Sequence, residues 1–142
     1  LSQKTTMANI QVDKLSLINF SLKMVKELLH ENEEYYPIAS AIDLNGDTKP
    51  IMYFGGNDNP LCEDVITEYL GIFEREIENS EIRAYAIAYD VRVSRNSESE
   101  KTDAIAIKIK HVETEEVIIY YYPYTFTQQR KLAIGESWGE IQ

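Results

Sequence analysis

Apolar positions change period at a few points along the chain, and those changes divide it into elements. Over residues 12 to about 32, Leu15, Ile18, Leu22, Val25, Leu28 and Leu29 recur at three- and four-residue spacing. That spacing predicts one face of an amphipathic helix, with Lys14, Lys23 and Lys26 toward its edges or its other side. Residues 1–11 are polar and aperiodic and are expected to form an N-terminal arm. Pro37 prevents the helix from continuing. Residues 38–44 read as a strand, Asn45-Gly46 as the positive-φ pair of a tight hairpin turn, and residues 50–54 as the return strand. Pro50 suits the first residue of a strand or a sheet edge.

Gly55-Gly56-Asn57-Asp58 breaks the pattern. Asn59 is expected to cap a second helix with Pro60 at its first position, and Glu63 and Asp64 complement the positive end of its dipole. Leu61, Val65, Ile66, Tyr69, Leu70, Phe73 and Ile77 form its buried stripe, which ends near Ser80. Residues 82–93 then alternate Tyr85, Ile87, Tyr89, Val91 and Val93 against Ala84, Ala86, Ala88 and Asp90. Residues 104–111 alternate Ile105, Ile107 and Ile109 against Ala104, Ala106, Lys108 and Lys110. Residues 117–124 are β-branched and aromatic, and a weaker strand spans 131–134. The order α-β-β-α-β-β-β(-β) predicts an α+β fold. Two helices are expected on one face of a mainly antiparallel sheet of about five or six strands, in one domain over residues 12–142. The alanine row would let a helix approach closely.

Composition narrows the function classes. A chain of 142 residues is too short for two well-packed domains, and 44% apolar with 27% charged residues is enough for a core. Against 14 basic residues stand 24 acidic ones, a net charge of -10 that repels phosphate backbones. No nucleic acid is therefore expected as partner, and a basic protein fits better. Cys62 is the sole cysteine, so no internal disulfide is possible. No run reaches the ~18 apolar residues of a membrane helix, and residues 1–9 lack the layout of a secretory signal. A cytoplasmic protein of bacterial type, off the membrane, is the expectation.

Familiar catalytic spacings are sparse. Asp43-x-Asn45-x-Asp47 begins like a calcium loop, but Thr48 stands at position six and Phe54 at position twelve, and a hairpin turn explains the residues better. Gly55-Gly56 lacks the lysine of a phosphate cradle. His30 ends a helix, His111 ends a strand with Glu113 nearby, and Cys62 lies near a helix start, where some thiols are reactive. None has a partner in sequence view. No metal and no cofactor are expected.

Two features remain. The chain holds ten tyrosines, and a strand through residues 120–124 places Tyr120, Tyr122 and Tyr124 on one face and Tyr121 on the other. With Tyr85 and Tyr89 on a neighbouring strand, such rings line a groove or cover the solvent face of a sheet. Asp90 and Arg92 share the alanine face, and Lys101 and Asp103 stand where the hairpin returns. Asp90 is expected to pair with Arg92 or Lys101, and Asp103 with Arg92. That quartet either fixes register as a salt-bridged hairpin end or, with Tyr120 and Tyr122, binds a ligand.

The stretches Ala88-Tyr89-Asp90-Val91-Arg92-Val93, Lys101-Thr102-Asp103-Ala104-Ile105-Ala106 and Tyr121-Tyr122-Pro123-Tyr124 carry a resemblance. The chain resembles, over residues 34–139, a group of small uncharacterised bacterial proteins with a YDVRV…KTDAI…YPY pattern and a helix-plus-sheet layout. No activity or site residue follows from it. Two readings stand: a non-catalytic binding or protein-interaction module of accessory or immunity type, or a small-ligand binder or enzyme using the polar residues of the central hairpin. The oligomeric state is open, a homodimer included.

Overall fold

The computed structural model describes residues 3–51 and 60–142. Its elements are α1 (Gln3–Asn32), β1 (Ile38–Asp43), β2 (Thr48–Ile51), α2 (Cys62–Glu78), β3 (Ile82–Val93), β4 (Thr102–His111), β5 (Val117–Phe126), β6 (Leu132–Ile134) and β7 (Trp138–Ile141). All strands pair antiparallel in the order β2-β1-β3-β4-β5-β6, with β7 also on β5. The fold is α+β with the predicted order. β7 is the addition; it is four residues long, and Gly139 interrupts any alternation that could announce it.

The two helices do not share a face. Leu17, Val25 and Leu29 of α1 pack on Ala84, Ala86, Ala88, Ile105, Ile107 and Ile109. Val65, Tyr69 and Phe73 of α2 pack on Ala39, Ala41, Tyr85 and Ile87. Neighbouring residues of a strand point to opposite sides, so these two sets lie on opposite faces. The reason is legible in β3, where the alanine face and the Tyr85/Ile87 face are both apolar and each needs a cover.

Helix α1 begins at Gln3, so the stretch expected to be an arm up to residue 11 is helical and carries the buried Ile10. Nothing from residue 3 onward breaks the helix, and Ile10 starts its buried stripe. That stripe runs Ile10, Asp13, Leu17, Ser21, Val25, Leu29, while Leu15, expected inside, is 57% exposed. Two polar residues stand where a reading by hydrophobicity skips.

The hairpin between β1 and β2 has only Gly46 at positive φ, 89°, rather than the expected Asn45-Gly46 pair. Asp43 explains this: its Oδ1 accepts the N–H groups of Asn45 (2.9 Å) and Asp47 (3.0 Å), fixing a longer turn. Pro50 sits on the edge strand β2 as expected. Helix α2 starts at Cys62 with Leu61 as an extended N-cap that makes no side-chain cap bond, so Pro60 precedes the helix instead of opening it. The expected cap Asn59 and the end of the return strand lie outside the described residues. Among the described residues, no helix is long and apolar enough to cross a membrane.

Candidate functional site

The predicted quartet is split. Arg92 and Asp103 face each other across β3 and β4, with Nη1 3.4 Å from Oδ1. Their side chains are 66% and 51% exposed, so the pair is a solvated surface contact worth about 0–1 kcal/mol. Asp90 pairs with neither Arg92 nor Lys101. It stands opposite Ile105, and its Oδ1 accepts the hydroxyl of Tyr124 at 2.7 Å. The phenol reaches it along the α1 side of the sheet, where a neutral donor costs less to desolvate than a second charge. Lys101 has no ion-pair partner among the described residues, and borders a cleft of about 370 Å³ with Val93, Tyr121 and Trp138.

Burial raises the Asp90 carboxyl above its ordinary range, and the Tyr124 hydrogen bond opposes the shift. Burial, then the Asp90 hydrogen bond and charge, push the Tyr124 phenol up. Tyr35 is raised by burial first and by Asp90 next, and its buried hydroxyl has no hydrogen-bond partner among the described residues. Tyr120, Tyr122 and Tyr124 do share one face with Tyr121 opposite. That face is the α1-side core rather than solvent: Tyr120 and Tyr122 are half-buried against it. Tyr85 and Tyr89 lie on β3, which β4 separates from β5, and on the other face.

A second cluster was not visible from the sequence. Asp13 of α1 is 2% exposed and binds Arg83 of β3 with both oxygens, Oδ1 to Nη2 and Oδ2 to Nε at 2.9 Å each. Its Oδ2 also meets Nε2 of His111 at 2.8 Å, and His111 is 3% exposed. The His111 Nδ1 accepts the Glu113 N–H at 3.1 Å. One proton on Nε2 therefore satisfies both ring nitrogens, and Arg83 alone balances the Asp13 charge. The Asp13 bond and burial act in opposite directions on Arg83, and the bond wins, raising it further. Both Asp13 oxygens and both His111 ring nitrogens find partners inside the chain, which makes the set a structural clamp.

On the α2 side of the sheet, helix α2 covers β1 and β3. On that side no helix of the described residues packs on β4, β5 or β7, where Ala104 and Ala106 are nonetheless fully buried. There Ala106 lies between Tyr89 and Tyr121 in register. Tyr121 stacks on Trp138 at 5.3 Å between centroids, and Arg95 lies 5.0 Å from the Trp138 ring centre. Lys108 and Lys110 belong to the same strand face. The outer side of α2 exposes Glu63, Asp64, Glu68, Glu74 and Glu78, while Glu76 is drawn to Lys49 at 3.9 Å.

His30 and Cys62 are exposed at a helix end and a helix start. The His30 end borders a cleft of about 560 Å³ with Glu33, Phe126 and Arg130. Comparison with known protein families, curated proteins and solved structures finds no match.

Proposed function

We propose that the chain is a protein-interaction module that docks a basic partner on the outer face of α2. The supporting observation is the disposition of carboxylates. Residues 60–80 carry six of them against Arg75 alone, a net charge of −5. Five of the six are exposed on one helix and make no ion pair among the described residues. Such a surface steers a cationic partner and loses its pull as salt rises. The competing reading, a ligand site on Asp90, Arg92, Lys101, Asp103, Tyr120 and Tyr122, has less support. Arg92–Asp103 is solvated, Asp90 is engaged by Tyr124, and Tyr120 and Tyr122 pack into the core side.

The test is affinity capture with wild type and with Glu68→Lys/Glu74→Lys, at low and high ionic strength. Partners retained by wild type, lost with salt and lost in the variant support the reading. The variant's melting temperature should stay close to wild type, because exposed charges are worth only ~0–1 kcal/mol each. Capture that is indifferent to both salt and the double substitution refutes it.

A further inference from the structure

The sheet ends at β2, a strand of four residues, and the two helices do not close tightly around it. A cavity of about 230 Å³ lies there, with a wall drawn from four elements. Helix α1 supplies Phe20 and Met24, β1 supplies Ile38 and Ala39, β2 supplies Pro50 and Ile51, and α2 supplies Tyr69. Because α1 and α2 lie on opposite faces of the sheet, one cavity reaches both only by passing around its edge.

Such a space calls for an occupant. Protein interiors pack about as densely as organic crystals, and voids larger than a water molecule are few. The wall is apolar: among the described residues no charged side chain lines it, and the Tyr69 hydroxyl is already given to the carbonyl of Pro37 at 3.3 Å. Water is a poor filling, since a buried water needs two or more polar partners. Phe20, Tyr69 and the Met24 thioether suit an aromatic ring, through ring–ring and sulfur–ring contact. An apolar cavity of roughly 150 Å³ takes benzene, so in proportion this one takes about nine non-hydrogen atoms, the size of two fused rings.

One polar group stands beside it. Ser40 is 1% exposed, and its hydroxyl has no hydrogen-bond partner among the described residues. In register Ser40 is opposite Pro50, and it shares a strand face with Ile38 two residues away; both line the cavity. A buried hydroxyl left alone is costly, and most such groups in folded proteins are satisfied by something.

We propose that the cavity binds a small, uncharged, two-ring aromatic molecule bearing a single N–H or O–H, which pairs with Ser40. The ring lies among Phe20, Met24 and Tyr69. A wall without charge rejects a carboxylate or an ammonium, which would be desolvated with no counter-ion. The cavity is separate from the outer face of α2, so this site and the basic-partner reading are tested independently.

Indole is the probe. Benzothiophene, of similar shape without the N–H, and indole-2-carboxylate are the comparisons. Binding to the full chain is followed by methyl NMR and by thermal shift. Indole should bind with a Kd below about 1 mM, move the methyl resonances of Met24, Ile38 and Ile51 first, and raise the melting temperature. Indole-2-carboxylate should do neither. Met24→Trp and Ile51→Phe, on different elements, fill the cavity, and each should abolish indole binding while leaving the circular dichroism spectrum unchanged. Ser40→Ala should weaken indole by about fivefold, the worth of one hydrogen bond, and leave benzothiophene within about twofold. An indole Kd above about 1 mM, shifts scattered over the surface, equal binding of the carboxylate, or binding that survives a filling substitution in a folded variant overturns the inference. Should both filling variants fail to fold, the wild-type shifts and the rejection of the carboxylate still decide it. Equal losses for indole and benzothiophene in Ser40→Ala overturn the role given to Ser40.

Discussion

Replacing Asp13 by Ala removes the one carboxylate that Arg83 and His111 share inside the fold. Three hydrogen bonds go at once: two to the guanidinium and one to the imidazole. Arg83 is 29% exposed and can turn its head toward water, so its stranding is partial. His111 has no such exit at 3% exposure, and its Nε2 proton is left facing a void. Breaking a buried pair from one side costs 3–5 kcal/mol; the Arg83 escape places this case at the lower end, about 3 kcal/mol. In a chain of this size that lowers the melting temperature by about 10 °C. Thermal and urea unfolding followed by circular dichroism measure it. Arg83→Met with Asp13→Leu should recover only the share of the loss that comes from Arg83, because the double change removes both charges but leaves the buried His111 Nε2 proton without an acceptor. The reasoning fails if Asp13→Ala melts within a degree or two of wild type. It also fails if the Asp13→Ala and Arg83→Ala effects add within about 0.5 kcal/mol in a double-mutant cycle, since coupled partners cannot be additive.

Arg92→Met should change stability by no more than about 1 kcal/mol, as its pair with Asp103 is solvated; a larger loss on urea unfolding contradicts that. Gly46→Ala should destabilise by at least about 1 kcal/mol, because φ is 89° and the new Cβ stands 3.1 Å from Arg83 Nη2, disturbing the Asp13 clamp as well as the turn. Burial raises the phenols of Tyr35, Tyr85, Tyr89, Tyr121, Tyr122 and Tyr124. The folded state therefore holds more protons than the unfolded one above pH ~10, and stability falls as pH rises past that point. Ultraviolet titration should show these rings ionising together with loss of the circular dichroism signal; all ten titrating near pH 10 in a folded protein would contradict it. Asp90→Asn keeps an acceptor for Tyr124 while removing a partly desolvated charge, so at neutral pH the melting temperature should hold or rise slightly; a clear fall contradicts the upward shift of the Asp90 carboxyl.

The strands were readable because their alternation is local. Ala84-Tyr85-Ala86-Ile87-Ala88 announces two faces within five residues, and the Arg92–Asp103 contact follows from the register of one hairpin. The same five residues also held the evidence against two helices on one face, since neither face is polar. What stayed hidden depends on distance along the chain. Asp13 meets Arg83 across 70 residues and His111 across 98, and Asp90 meets Tyr124 across 34. Asp13 did leave a trace: it stands four residues before Leu17 in a stripe that continues through Ser21, Val25 and Leu29. A polar residue at a buried helical position is a request for a partner. Trp138 left none, because β7 is too short and glycine-broken to read as a strand.

The clamp at Asp13 also explains how α1 is placed on an otherwise small-residue floor. Ala84, Ala86 and Ala88 present small side chains, so apolar contact alone would tolerate a helix displaced along β3. The clamp holds Asp13 to Arg83 at the start of β3, and the Asp90–Tyr124 bond lies near its end, where Leu29 and Tyr35 join the same core. From Asp13 to Leu29 a helix rises about 24 Å, at 1.5 Å per residue. From Arg83 to Asp90 a strand covers about 23 Å, at 3.3 Å per residue. The lengths match, so the apolar stripe fills the space between two polar ends. A slip of one helical turn, about 5.4 Å, would carry Asp13 out of reach of a bidentate partner and leave both His111 and Arg83 unsatisfied. The hydrophobic stripe holds α1 to the sheet, and Asp13 determines where along the sheet it sits.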